Sequence, residues 1–361
     1  MSGLTLDTLK RSLGLRWEEP YDVIIPYGDV RHTIFETVWT FDLENDQLLF
    51  SKDGNQSGRL PLSVLRQRSF TFEDFVLYDS PKAPTFDLQA TSPPPYWTPI
   101  LHVPQRKVAF AHRVLDDFNF QWRHILRHQY NDLTFRKLAH TALRVATFSF
   151  SVKELTEPRQ GLGGALIGPL NLPEWKPLDT MIVLFGRVWL VASQYPEDTL
   201  SLVREHWTAQ QDTSANKYLI MSVRHIILCR HIKGKLELTR PMPFLNGVDP
   251  VPERAIELFL AAISNTPYRT SIHRLPAELQ AKTLRYVSQG PVEAARIGCI
   301  LGLGLPFAWK DGKMNVERET AHRNRHFETP VESQIWFGDH FSGVAYKGDV
   351  RSITETPKIL R

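Results

Sequence analysis

Apolar and polar positions along the chain follow two periods, one of two residues and one of three to four, and the segments carrying them mix without regular order. Leu6, Leu9 and Leu13 predict a short helix over residues 4–15. From Tyr21 the texture turns to strand. Residues 35–42 and 47–51 flank Leu43-Glu44-Asn45-Asp46, which has the length and chemistry of a hairpin turn, and 60–65 and 70–78 continue in the same β-rich manner. Val114, Phe118, Trp122 and Ile125 mark one face of a helix over 108–128, and a second helix follows over 132–146. Residues 147–152 predict a short strand, the apolar run 181–191 a buried strand, and 196–210 a helix entered through acidic residues. Residues 218–230 and 235–239 read as a hairpin around Lys233-Gly234, and 253–263 as a helix. Near the end, 334–337 and 343–346 predict two short strands around Gly338-Asp339.

The sharpest pattern lies over residues 275–309. Winding 275–288 as a helix gathers Leu275, Leu279, Thr283, Leu284, Tyr286 and Val287 on one face. Glu278, Ala281, Lys282, Arg285 and Ser288 fall opposite, and Gln280 is out of place. Pro276 suits the first helical position, where its missing N–H is not needed. Glu278 then lies near the positive end of the helix dipole. Glu278 and Lys282, four apart in the favoured order, add about 0.2–0.5 kcal/mol. Gly290-Pro291 breaks this helix and Pro291 opens another, with Glu293 in its first turn. Val292, Ala294, Ala295, Ile297, Cys299, Ile300 and Leu301 make the second helix apolar nearly all round, which predicts burial. Gly302, Gly304 and Pro306 stop it. The two form a predicted helical hairpin.

Leu275-Pro276-x-Glu278-Leu279, with Leu284 and Val287 behind it and an apolar second helix running towards Trp309, resembles the F-box. That motif is a short helical bundle that docks on the Skp adaptor of cullin-RING ubiquitin ligases. The resemblance covers residues 275–309 alone, and its opening is its most specific part. The sequence leaves the F-box pattern after Ile300, where Gly302, Gly304 and Pro306 interrupt what would be a third helix. The segment also sits late in the chain, where F-boxes usually sit early, and is similar to degenerate F-box regions of proteins from filamentous fungi. The resemblance implies that Leu275, Pro276, Leu279, Leu284 and Val287 dock on the adaptor while Ile297, Ile300 and Leu301 shape the apolar pairing. A buried core helix can open in the same way. Exposure separates the two: a docking patch leaves Leu275, Leu279 and Val287 partly open to solvent, and a core hairpin buries all three.

Pro81, Pro84, Pro93, Pro94, Pro95 and Pro99 rule out helix and sheet interior over 79–99 and predict an extended linker. It divides a β-rich region, 1–95, from an α+β core, 96–270, with the F-box-like helices and a short hairpin in 271–361. Residues 156–177 hold Gly161-Leu162-Gly163-Gly164 and Gly168, at spacings that match no phosphate cradle, and read as a loop. Without regular strand–helix alternation the fold class expected is α+β: mixed, mainly antiparallel sheets with packed helices and a C-terminal F-box-like helical hairpin.

Composition narrows this little. A chain of 361 residues can bury a core, and 42% hydrophobic with 23% charged residues excludes wholesale disorder. Forty-three basic against 39 acidic residues leave +4, too little to argue for nucleic acid. Cys229 and Cys299 form no disulfide framework. The first fifteen residues lack the apolar stretch of a secretory signal, and the longest apolar runs are too short to cross a bilayer. A cytoplasmic or nuclear chain without a membrane partner is expected.

Candidate chemistry is sparse. His124 and His128, and His322 and His326, stand four apart, but neither pair carries the Glu of the metalloprotease arrangement, and no metal or cofactor is expected. No serine sits in a G-x-S-x-G elbow, and Cys299 in an apolar helix reads as an inert thiol. Arg123, His124, Arg127, His128, Arg136, Lys137, His140 and Arg144 form the most basic patch, but Asp116, Asp117 and Asp132 interleave with it and point to a solvated face. The leading functional expectation is an interaction protein that recruits a substrate to a ubiquitin ligase through the Skp adaptor. Two alternatives stand beside it: an enzyme with a pocket in the central region using His225 or His231, and a binder of nucleic acid or an acidic partner through 123–144.

Overall fold

The computed structural model describes residues 21–25, 37–42, 46–52, 56–77, 96–126, 132–154, 173, 175–186, 188–194, 196–209, 217–232, 235–263, 269–319 and 332–349. The helix predicted at 4–15, most of the Pro-rich and Gly-rich stretches, and His128, His322 and His326 lie outside them. The described residues form an α+β fold with three mainly antiparallel sheets.

The first sheet is an antiparallel run of β1 (Tyr21–Ile25), β2 (Thr37–Asp42), β3 (Gln47–Lys52), β4 (Gln56–Pro61) and β5 (Val76–Leu77). The predicted 35–42/47–51 hairpin is there, with Asp42 opposite Gln47. Residues 60–65 are not a strand throughout. The chain leaves β4 at Pro61 and forms helix α1 (Leu62–Gln67), burying Leu62 and Leu65.

The central sheet takes β7 (Ile182–Phe185), β8 (Val188–Ala192), β9 (Lys217–Met221), β10 (His225–Ile232), β11 (Lys235–Leu238) and the short β12 (Met242–Pro243). The run 181–191, expected as one strand, is an antiparallel pair that turns back at Gly186, whose φ of 59° suits glycine. Likewise 218–230 is split between β9 and β10 at Val223, buried at a φ of 67°. Nothing in the sequence marks that turn, because a β-branched residue is costly in the left-handed region. β8 and β9 pair in parallel, which needs a crossover, and α4 (Pro196–Ala209) supplies it. Alternation sorts the apolar residues of these strands onto two faces. Val191, Tyr218, Ile220, Ile227 and Cys229 pack with Leu200 and Val203 of α4. Leu190, Ala192, Leu219, Met221, Ile226 and Leu228 face the main core on the other side.

That core is built on α2 (Gln105–Gln121), α3 (Asp132–Ala146) and α5 (Glu253–Ile263). The helix predicted to run from 108 to 128 stops at Gln121, and a separate single turn follows at Arg123–Leu126. Trp175 lies among Phe118, Trp122 and Phe337, with ring centroids 5.2–6.1 Å apart. The indole N–H groups of Trp122 and Trp175 donate to the carbonyls of Ser342 and Lys137, so these rings enter the core without an orphaned donor.

The third sheet has the order β13 (Lys310–Asp311), β14 (Met314–Arg318), β16 (His340–Asp349), β15 (Glu332–Phe337), β6 (Ser151–Glu154). Asp117 of α2 is buried where that sheet meets the helix. Its carboxylate accepts from Arg113 Nε at 2.7 Å and Arg318 Nη1 at 2.9 Å. Burial pushes this carboxyl up, and the two guanidiniums oppose the rise. Helices α6 (Ala277–Val287) and α7 (Pro291–Leu301) precede this sheet's last strands. The chain therefore does not close on a C-terminal helical hairpin, and that expectation is corrected: β13 to β16 follow, and β15 reaches back to pair with β6.

Candidate functional site

Residues 269–312 leave Leu275, Leu279, Tyr286, Val287, Ile300, Leu301 and Leu305 exposed and line two cavities, so the site is built from them. Thr270 caps a short turn, Ser271–Arg274, and its N–H donates to His273 Nδ1 at 3.0 Å. That leaves the other ring nitrogen to donate to the Leu301 carbonyl at 3.0 Å, tying the turn to the end of α7. Pro276 stands at the N-cap of α6, one residue before the helical position expected of it.

Gln280, the misfit of the periodic pattern, is what seats α6. Its side chain is buried; Nε2 donates to the Leu275 carbonyl at 2.8 Å and Oε1 accepts from Gly304 N at 2.8 Å. Leu284, four residues on, is 5% exposed against Ala294 and Leu303, with Ile272 and Ile297 beside it. Gly298 lets the helices close: a Cβ there would come within 3.0 Å of both Leu284 Cδ1 and the Leu303 carbonyl. Gly302 and Gly304, at φ 70° and 74°, then turn the chain away.

α7 is locked to the body at its start. Glu154 of β6 accepts from Glu293 N at 3.1 Å and from the Ser333 hydroxyl. Burial pushes this carboxyl up, while those donors hold it down. Arg296 pairs with Glu293 at 2.6 Å and donates to the Phe148 carbonyl at 2.9 Å. At Gly290 a Cβ would overlap the Glu154 carboxyl group. Gly290→Ala should therefore displace Glu154 and lower stability by about 1–3 kcal/mol, as overpacking does. Thermal unfolding measures it, and an unchanged midpoint would mean that the carboxylate has room to move.

Of the eight residues assigned to docking, Leu275, Leu279 and Val287 are 42%, 49% and 67% exposed. Pro276, Ile300 and Leu301 are also exposed, Ile297 is half-buried and Leu284 is buried. Tyr286 and Leu305 enlarge the open apolar area. The structure thus separates Leu284 from Leu279 and Val287, which the winding puts on one face. It also opens the last turn of α7, expected to be buried all round. The i, i+4 pair Gln280 and Leu284, and not the leucine series, faces the glycines of the neighbouring segment. That spacing is the signal the periodic reading passes over.

One cavity, of about 350 Å³, runs between α6 and α7 and is lined by Ala281, Leu284, Pro291, Leu303 and Phe307. A larger one, of about 790 Å³, lies beside the Ser271–Arg274 turn. Arg106 and Gly304 line both. Arg106 Nη1 is closed off from water and has no hydrogen-bond partner among the described residues.

The other candidates do not converge on these cavities. His225 is half-buried, and burial, then Arg224, lowers its pKa; His231 stacks on Trp207 at 4.0 Å. Neither lines either cavity. Burial pushes the Cys299 thiol up to about 12, which leaves it unreactive as a nucleophile at neutral pH. In the basic patch, Arg136 donates to the Leu178 and Asp179 carbonyls, Arg144 to the Ser149 carbonyl, and Arg123 to the Phe120 carbonyl while lying over its ring. Those cations hold the fold together. Among the described residues no three His, Cys, Asp or Glu side chains group as a metal site, and no helix is long and apolar enough to cross a membrane.

Comparison with family models, curated proteins and solved structures finds no match to this chain.

Proposed function

We propose that this chain is an interaction protein whose α6–α7 face docks on a partner, and that the partner is the Skp adaptor, to which it brings a protein substrate for a cullin-RING ubiquitin ligase. The observation that carries this reading is the exposure of Leu275, Leu279 and Val287, beside Tyr286, Ile300 and Leu301. Isolated apolar side chains on a surface need no explanation, but six of them on one helical pair and its lead-in support an interface. The opening Leu275-Pro276-x-Glu278-Leu279 supports the choice of partner through its resemblance to the F-box. Such a protein works by proximity. It holds two other proteins together and needs no reacting group of its own.

Titrating the full chain with purified Skp adaptor tests this. Binding is expected, and Leu279→Ala and Val287→Ala should each weaken it by about 1–3 kcal/mol, as truncation of buried interface anchors does. An adaptor that fails to bind the wild-type chain, or binds the double variant equally well, overturns the proposal.

A further inference from the structure

We propose that the larger cavity, beside the Ser271–Arg274 turn, binds a small organic phosphate. Its volume of about 790 Å³ is in the range of small-molecule sites. Arg106, Arg269 and Arg274 line it, and no carboxylate does among the described residues. Arg106 enters from the first turn of α2, and its Nη1 is shut away from water with no hydrogen-bond partner among the described residues. A turn of the side chain that brings Nη1 into the cavity and onto an anion would remove the cost of leaving it unpaired. Neither Arg269 nor Arg274 has an ion-pair partner among the described residues, and both are exposed towards incoming solute.

Three other polar residues of the wall are already committed, Thr270 among them through its hydroxyl contact with His273 Nδ1. His273 uses both ring nitrogens on Thr270 and Leu301, and Gln280 uses both ends of its amide on Leu275 and Gly304. They shape the cavity and leave the arginines, with the Ser271 hydroxyl, as its binding groups. Three guanidiniums suit phosphate better than carboxylate. A phosphate group offers three strong acceptor oxygens and more than one charge, whereas a carboxylate is filled by one bidentate arginine. The apolar cavity between α6 and α7 shares Arg106 and Gly304 with this one, so it offers room for the organic part of the ligand. The proposal does not rest on the docking reading, although Leu275 borders both the cavity and the docking face.

Calorimetric titration of the full chain with pyrophosphate at low ionic strength tests it, with citrate as a carboxylate probe of comparable charge. One pyrophosphate should bind per chain, and citrate at least about tenfold more weakly. Arg274→Gln, an exposed change that should leave the fold intact, should weaken pyrophosphate binding by roughly tenfold, and Arg106→Gln by as much or more. Lys282→Gln, which removes a charge from the exposed side of α6 away from the cavity, should leave it unchanged. Overturning results are the absence of saturable pyrophosphate binding, equal binding of citrate, or equal weakening by Lys282→Gln.

Discussion

Asp117→Ala should destabilise the fold by roughly 3–5 kcal/mol. The carboxylate is 3% exposed and accepts from two guanidiniums, Arg113 on its own helix and Arg318 on β14. Removing it leaves the two guanidiniums without their shared counter-charge. Arg318 is held there by the ring of Phe120, 3.7 Å below its guanidinium, and its Nε already lacks a hydrogen-bond partner among the described residues. Deleting one member of a buried pair costs more than the pair contributes, because the desolvation of what remains is no longer offset. The lower half of the range is favoured by Arg113, whose side chain keeps 38% exposure and can turn to water. Urea unfolding of the two proteins side by side is the measurement. A loss below 1 kcal/mol would show that the arginines find other partners and that the join between α2 and the third sheet does not depend on this carboxylate.

The second large effect is a contrast between two leucines five residues apart. Leu284→Ala should cost about 2–5 kcal/mol, since it empties the small cluster that Ala294 and Leu303 close. The cavity between α6 and α7 is already open beside it, so the cluster cannot easily collapse to fill the space. Leu279→Ala, on the open face, should cost about 0.5 kcal/mol or less. Because the cluster is separate from the main core, the loss at Leu284 should be local. Amide exchange would then quicken over residues 277–287 before it changes in the central sheet. Equal destabilisation by the two variants would mean that both side chains belong to the core, and it would remove the exposed face on which the docking proposal rests.

Local period and punctuation determined much of the secondary structure. The helices at 132–146, 196–209 and 253–263, the pairing of β2 with β3 and of β10 with β11, and the two helices set off by Pro276, Gly290-Pro291 and Gly302 all follow from near-neighbour chemistry. So does the α+β class, since strands and helices do not alternate. Only the tertiary structure decided where those elements go. The pairing of β15 with β6 joins residues almost two hundred apart, and no local pattern encodes it. Val223 adopts a left-handed turn because the strands on either side are fixed by their burial, overriding its own preference. The same holds at the candidate site. Hydrophobic periodicity groups Leu279, Leu284 and Val287, because each is apolar and none carries a mark of its surroundings. Which face of α6 turns inward was settled by Gln280, through bonds to Leu275 and Gly304, and by the room that Gly298 leaves for Leu284. The gathering of Arg106 with Arg269 and Arg274 lies equally beyond the sequence. A helix start and a distant turn come together only when the whole chain has packed.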